Sequence, residues 1–247
     1  MADKAQLLAD IIGHPDDEDA RRRYADLVAG EDAARGELIR LQLVMRDVRR
    51  AGGTPSLHQV DRERQLLAAN GRLWAGKVAD LVWRFTFLRG FVEHVTLTAS
   101  EFLSRAANIF RLAPIRHVTL SAARPVIARV AASPHLARLI SLDLSDNKLG
   151  DDGVKTLVGS KHLRRLRLLR LAKNEVGKDG AEAVVAASAL AGLAHLDFRG
   201  NRVDLTPRPA PIRDGAVEIP MLAHDLMSRY GRRRYLETVA VPRLDDL

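Results

Sequence analysis

The sequence predicts an α/β fold: an all-helical N-terminal domain, then a short solenoid of repeats that each combine a strand with a helix. Three observations predict it. A hydrophobic template recurs at a fixed period in the middle of the chain. Apolar residues in the first 90 residues have helical spacing. Hydrophobic residues make up 47% of the 247 residues and aromatic residues only 4%, which suits thin stacked layers of aliphatic side chains.

The template L-x-x-L-x-L-x-x-N-x-L occurs three times in phase, with its asparagines 27 residues apart. Its positions are Leu139, Leu142, Leu144, Asn147 and Leu149; Leu166, Leu169, Leu171, Asn174 and Val176; Leu193, Leu196, Phe198, Asn201 and Val203. A fixed period of this length is the signature of a repeat architecture. The alternating leucines predict a strand with one buried face, and the asparagine amide can pair with backbone groups inside the turn that follows.

Two less regular units precede these three. Residues 115–120 and 92–97 fit the strand half of the template, and their asparagine positions hold Ala123 and Ser100. Terminal repeats of a solenoid are often irregular because they meet a cap. We therefore predict five strands.

These residues resemble the leucine-rich-repeat family. The period near 27 with an outer helix is similar to its ribonuclease-inhibitor-like subclass. The resemblance covers about residues 91–204. It implies a curved solenoid whose parallel sheet lines the concave side, with protein binding as the commonest role.

Helical spacing predicts four helices in the first 90 residues. They are Ala5–Ile12, Glu18–Ala29, Glu31–Arg50 and Val60–Asn70. Asp16 or Asp17 is the expected N-cap of the second helix. Gly52 and Pro55 lie in the stretch that ends the third helix.

Three strings resemble a bacterial domain of unknown function, the repeat-companion domain, which typically precedes leucine-rich repeats. The strings are Arg23-Tyr24-Ala25-Asp26-Leu27, Arg35-Gly36-Glu37-Leu38-Ile39-Arg40-Leu41-Gln42 and Arg89-Gly90-Phe91-Val92-Glu93. The sequence departs from that pattern at Val28, where a Trp is frequent. The resemblance implies no activity, because none is established for the family.

The N-terminal domain is expected to cap the apolar end of the solenoid. The side chains available for this are Tyr24, Leu27, Ile39, Trp74 and Trp83. Arg35, Glu37 and Arg40 are then expected to form a buried or half-buried ion network between helices. A ligand site in this domain is the alternative interpretation.

The predicted domains are residues 1–90, 91–204 and 205–247, the last being a C-terminal cap. Pro207, Pro209 and Pro211 indicate an irregular loop after the last repeat. A helix over Ile219–Arg229 and a final strand over Tyr235–Val241 are expected to follow.

Composition and motifs argue against several classes of function. The chain has no cysteine, so it has neither disulfides nor thiolate metal ligands. It lacks the apolar core of a signal peptide and any long apolar run, which favours a cytoplasmic protein without membrane contact. Nucleotide-binding, zinc-protease and serine-hydrolase motifs are absent. We therefore predict no catalytic residue, no cofactor and no metal.

Strand alternation selects the side chains expected on the concave face. The predicted partner-binding residues are His94, Thr96, His117, Thr119, Ser141, Asp143, Arg170, His195, Asp197 and Arg199. Their mixed charges suit a specific protein surface. A metal site at His94 and His117 would lack a clear third ligand. The sequence thus predicts a scaffold that binds another protein, and the resemblance to the repeat-companion domain implies a bacterial one; neither the partner nor the oligomeric state is identified.

One basic run supports an alternative function. It comprises Lys161, Arg164, Arg165, Arg167, Arg170 and Lys173, with no acidic residue between them. Residues 91–204 carry 17 Lys and Arg against 11 Asp and Glu, which is most of the net charge of +8. The alternative prediction is binding of nucleic acid or another polyanion. The run lacks the stacking aromatics expected of a nucleic-acid site, so a solvated rim that steers an acidic protein is the competing interpretation.

Overall fold

A computed structural model describes residues 4–205, 207–209, 217–238, 242–244 and 247. The chain divides into two compact units. The first consists mainly of Met1–Thr96 and Ala107–Arg116, and the second mainly of Leu97–Ala106 and His117–Pro242. The domain boundaries after residues 90 and 204 stay a prediction.

Four α-helices open the first unit. They are α1 (Lys4–Gly13), α2 (Glu18–Ala29), α3 (Ala33–Arg50) and α4 (Leu57–Ala75), and a 3₁₀ turn follows at Gly76–Asp80. The four predicted helices are thus present, and α1 and α4 extend further than predicted. Side chains cap their first turns. Asp17 accepts from Ala20 N at 2.9 Å, and Ser56 forms a capping box with Gln59.

A β-hairpin follows these helices in the first unit. β1 (Arg84–Leu88) pairs antiparallel with β2 (Phe91–Thr98). The prediction of an all-helical segment over residues 1–90 is therefore wrong at its end. Phe85 and Phe87 alternate with polar residues, the period of a strand, and the prediction of helices alone overlooked this short signal for β1.

The hairpin between β1 and β2 has a tight turn, and Phe91, the residue after that turn, packs in the core of the first unit. Arg89 and Gly90 have φ of +50° and +83°, as a two-residue hairpin turn with both φ positive requires. The core packs Tyr24 edge-on against Phe91, with ring centroids 5.3 Å apart. Of the predicted capping side chains, Tyr24 and Ile39 are buried, whereas Trp83 is 62% exposed.

One buried carboxylate lies between two buried arginines in this unit. Glu93 Oε1 is 2.9 Å from Arg21 Nη1, and Arg89 donates to both Glu93 oxygens at 3.0 and 2.6 Å. Arg21 also donates to the carbonyl oxygens of Arg89 and Pro15. Burial lowers the pKa of Arg21 to about 10, and the charge of Glu93 opposes that shift. Two cations thus share one buried anion.

The ion network predicted for Arg35, Glu37 and Arg40 does not form. Glu37 binds Arg62 and Arg40 binds Asp26, both in exposed positions. Arg35 is buried among aromatic rings. Residues two apart on a helix face opposite sides, so one helix face cannot carry both Arg35 and Glu37.

The second unit alternates strands and short helices. Helix α5 (Ala99–Leu112) comes first in the chain. The elements that follow it are β3 (His117–Ser121), α6 (Ile127–Ala131), β4 (Ser141–Asp143), α7 (Gly150–Val158), β5 (Leu168–Arg170), α8 (Lys178–Ala186) and β6 (His195–Asp197). Short 3₁₀ turns lie at Arg124–Val126, Pro134–Arg138 and Ser188–Leu190. Strands β3 to β6 pair in parallel, and helices α6, α7 and α8 pack side by side. Within the second unit, β3 to β6 follow one another in chain order in a parallel sheet, and the five predicted strands are β2 to β6.

The template asparagines bridge successive repeats. Asn147 Oδ1 accepts from Ala123 N at 2.6 Å, and its Nδ2 donates to Leu120 O and Leu144 O at 2.9 Å. Asn174 repeats the pattern, accepting from Asn147 N and donating to Leu144 O. The predicted role of the amide is confirmed: each pairs with backbone groups of its own turn and of the preceding repeat.

Replacing Asn174 by alanine is expected to lower the free energy of unfolding by about 2–4 kcal/mol, because buried donors and acceptors lose their partners. Asn174 is fully buried, and Asn147 N, Leu149 N and Leu144 O all bond to its amide. Urea unfolding followed by circular dichroism measures the change. Asn108→Ala is the matched control, because its amide bonds only an exposed arginine. Equal stability of the two variants would contradict the bridging role.

The C-terminal part packs against the last repeat. It contains β7 (Arg208–Pro209) and β8 (Val217–Glu218), then α9 (Met221–Tyr230) and a 3₁₀ turn at Arg234–Leu236. The predicted helix is confirmed as α9. Tyr235 and Leu236 are in the 3₁₀ turn, so the predicted final strand is wrong there, and Val241 and Pro211 lie outside the described residues. Tyr230 Oη donates to Glu182 of α8 at 2.6 Å.

Candidate binding surfaces

One row of side chains crosses β3 to β6 at equivalent positions. It consists of Thr119, Asp143, Arg170 and Asp197, whose Cα atoms are register partners, and we call it the charged row. Register partners on neighbouring parallel strands face the same side about 4.8 Å apart. Negative and positive charges therefore alternate along its last three members. The Asp143 and Arg170 side chains are 19% and 26% exposed.

Ion pairs join the charges of this row. Arg170 Nη1 lies 3.6 Å from Asp143 Oδ2. Arg199, two residues beyond Asp197, donates to both Asp197 oxygens at 2.8 and 2.7 Å. These bonds from Arg199, together with the nearby charge of Arg170, lower the pKa of the Asp197 carboxyl. The Asp197 carboxylate is therefore held as an anion.

The two aspartates also hold the strand ends. Asp143 Oδ1 accepts from Ser145 N at 2.9 Å, and Asp197 Oδ1 accepts from Arg199 N at 3.3 Å. Such bonds to the backbone two residues on are common where Asp ends a segment. The arginines have no such backbone role, and Arg199 is 67% exposed. Arg170 and Arg199 are therefore the charges of this surface most available to a partner.

A neighbouring row of side chains on the same strands is mostly buried. Its register partners are His117, Ser141, Leu168 and His195, and the first three are buried. Ser141 is small and lies between the larger side chains of His117 and Leu168. Asp197 is buried too, because Arg199 folds over its carboxylate. The prediction that His117, Ser141 and Asp197 offer direct contacts to a partner needs correction on this point.

His94 and Thr96 belong to β2 in the first unit, whereas the other eight predicted partner-binding residues belong to the second. They are opposite Thr86 and Arg84 of β1, and both are partly exposed. His94 Nδ1 is 3.4 Å from Thr86 Oγ1. In the described part of the chain, no group of three or more His, Asp or Glu side chains is placed to hold a metal ion.

The basic run lies mostly on the surface of the second unit. Its exposed members are Lys161, Arg164, Arg165, Arg167 and Lys173. Arg170 is half-buried and paired with Asp143, and Arg167 Nη1 donates to Gly192 O at 3.0 Å. Burial and the charge of Arg165 lower the pKa of Arg138 in the preceding repeat. Positive charge therefore extends across two repeats at this edge.

A cavity in the first unit gives the alternative ligand site a definite place. It has a volume of about 220 Å³, and its lining includes Tyr24, Arg35, Trp74 and Phe91. These side chains come from α2, α3, α4 and β2. No local sequence pattern indicates this cavity, because the packing of four elements that are distant in the sequence creates it.

Comparison with known proteins agrees with the repeat architecture. Residues 137–158 and 160–185 match the family model described as Leucine Rich repeat. The matched segments contain two of the three regular templates. No curated protein matches the chain. None of the described helices combines the length and apolar character needed to cross a membrane. The match to two repeats supports a leucine-rich-repeat protein.

Proposed function

We propose that the chain is a non-enzymatic scaffold that binds a partner protein against the charged row and Arg199. The half-buried charges of Asp143 and Arg170 on adjacent strands, together with the exposed Arg199 that covers Asp197, carry this proposal. Leucine-rich repeats commonly mediate protein–protein interaction, and charge alternation of this kind selects a partner with the complementary pattern. The partner is expected to present carboxylates to Arg170 and Arg199.

The size of the surface limits the affinity. Four parallel strands span about 14 Å across the row, at about 4.8 Å per strand spacing. A standard interface buries about 800 Å² on each partner, and this strip alone is smaller than that. We therefore expect moderate affinity, with the two arginines contributing much of the charge selectivity.

The test compares a charge-depleted variant with a matched control. Partners are first captured from a lysate of the source organism with the full chain and identified by mass spectrometry. The recovered partner is then titrated against Arg170→Gln/Arg199→Gln by calorimetry. We expect binding at least about tenfold weaker, since each lost charge contact costs about 1 kcal/mol.

The matched control is Lys155→Gln/Lys178→Gln, which removes two exposed positive charges from α7 and α8 and not from the strands. Its net charge equals that of the test variant, so non-specific electrostatic effects cancel. Equal affinity of the two variants would show that the partner binds elsewhere.

The exposed basic run favours a second candidate, the binding of nucleic acid or another polyanion. Filter binding to random RNA and DNA at two salt concentrations tests it, because each released counterion steepens the salt dependence. Arg164→Gln/Arg165→Gln is expected to weaken such binding and reduce the slope. Absence of binding at low salt would remove this candidate.

A further inference from the structure

Arg35 is a buried cation in the wall of the first unit's cavity. The residue is 8% exposed and is in the first turn of α3. Its guanidinium lies 5.2 Å from the ring centroids of Trp74 and Phe91 and 5.3 Å from that of Phe87. Rings at this distance stabilise a cation through their π faces, but they accept no conventional in-plane hydrogen bond.

The hydrogen-bonding capacity of this guanidinium is incompletely used. Arg35 Nη1 has no hydrogen-bond partner among the described residues. Asp32 is close, but its Oδ1 accepts from Arg35 N at 2.9 Å and its Oδ2 from Trp74 Nε1 at 2.8 Å. Burial lowers the pKa of Arg35 to about 10, with Tyr24 and Asp32 opposing the shift. The site therefore holds a desolvated, still protonated cation at neutral pH.

The rest of the cavity adds a second cation and apolar walls. Lys4 lines it, and its Nζ pairs with Glu31 at 2.6 Å. Tyr24, Trp74 and Phe91 provide aromatic surface, Asp32 also lines the cavity with its carboxylate engaged by Trp74 Nε1 and Arg35 N, and aliphatic side chains complete the lining. Ligand sites commonly combine such apolar walls with a few convergent polar groups.

We infer that this cavity binds a small carboxylic acid whose apolar body is about the size of one ring, with the carboxylate on Arg35. A planar guanidinium matches a carboxylate in geometry and charge. The volume of about 220 Å³ exceeds the roughly 150 Å³ of a cavity known to take up benzene, which leaves space for one carboxylate. A water molecule would supply hydrogen bonds but would add no negative charge to that of the neighbouring Asp32.

Benzoate is the probe, titrated into the full chain and followed by NMR. The chain has two tryptophans. Trp74 lines the cavity, whereas Trp83 is largely exposed and is not in its lining. We expect the Trp74 indole N–H signal to shift with saturation, at a dissociation constant of about 1 mM or lower, while the Trp83 signal stays in place. Absence of saturation, or equal shifts of both signals, would overturn the proposal.

Ligand controls test the chemical class without changing the protein. Benzyl alcohol has a similar ring but no charge, and it is expected to bind at least about tenfold more weakly, because a hydrogen bond between charged groups is stronger than a neutral one. Inorganic phosphate tests whether any anion suffices. Binding of benzyl alcohol as tight as benzoate, or of phosphate as tight as benzoate, would contradict a site for an apolar carboxylate.

Arg35→Met tests the residue itself. An apolar side chain of similar length should pack against the three rings with little loss of stability, and benzoate affinity should fall at least about tenfold. Arg40→Met, at an exposed position of the same helix, is the control and should bind benzoate like the unmodified chain. Unchanged affinity in Arg35→Met would refute the assignment, and the ligand controls decide the matter if that variant fails to fold.

Discussion

Replacing Gly90 by alanine is expected to lower the free energy of unfolding by about 2–5 kcal/mol. Gly90 has φ of +83°, where an L-residue costs about 1–2 kcal/mol. A Cβ at this position would also lie 2.8 Å from both Cα and Cβ of Ile39 in α3. Ile39 is fully buried, and its Cα cannot rotate away, so overpacking adds about 1–3 kcal/mol.

Gly52→Ala separates the two causes. Gly52 has φ of +79°, but a Cβ there would meet nothing within 4 Å. This control therefore carries only the backbone cost of about 1–2 kcal/mol. Chemical denaturation of both variants measures the difference. If Gly90→Ala is no less stable than Gly52→Ala, the close contact between the hairpin turn and α3 is not as tight as the structure shows.

The repeat half of the fold was predictable because its signal is periodic and local. Each asparagine satisfies its own turn and the preceding one, so the same residue recurs at the same offset. Strand register follows directly: Ser141, Leu168 and His195 are 27 residues apart and pair as register partners. The alternation that assigned Asp143 and Arg170 to one face depends on the same period, and the structure agrees with it.

The sequence did not predict which side chains reach solvent or where the cavity lies, because tertiary packing determines both. Alternation assigns a side chain to a face of the sheet, but neighbours determine whether it reaches solvent. Ser141 is on the predicted face and is still covered by larger side chains on adjacent strands. Arg199 covers Asp197 by donating hydrogen bonds to a side chain two positions earlier in the chain, and no strand pattern encodes this contact. The Arg35 cavity likewise depends on where α4 and β2 pack against α3, which helical periodicity leaves open.

Glu93→Gln is expected to destabilise the first unit by about 3–5 kcal/mol. The substitution keeps the size of the side chain and one acceptor oxygen, removes the charge, and replaces the other acceptor oxygen with an NH₂ donor that faces an arginine. Arg21 and Arg89 would then be two buried cations without their shared anion, the arrangement in which breaking a buried ion pair costs most. Thermal and urea unfolding measure the loss. Glu37→Gln, whose partner Arg62 is about 40% exposed, should change stability by less than about 1 kcal/mol.

A second substitution tests whether charge is the cause. Adding Arg89→Met to Glu93→Gln removes one of the two cations that lose their shared anion and replaces it with an apolar side chain of similar length. Since an unpaired buried charge costs more than an apolar replacement, the double variant should be more stable than Glu93→Gln alone. A double variant that is less stable would show that the packing of Arg89, and not its charge pairing with Glu93, holds the hairpin in place.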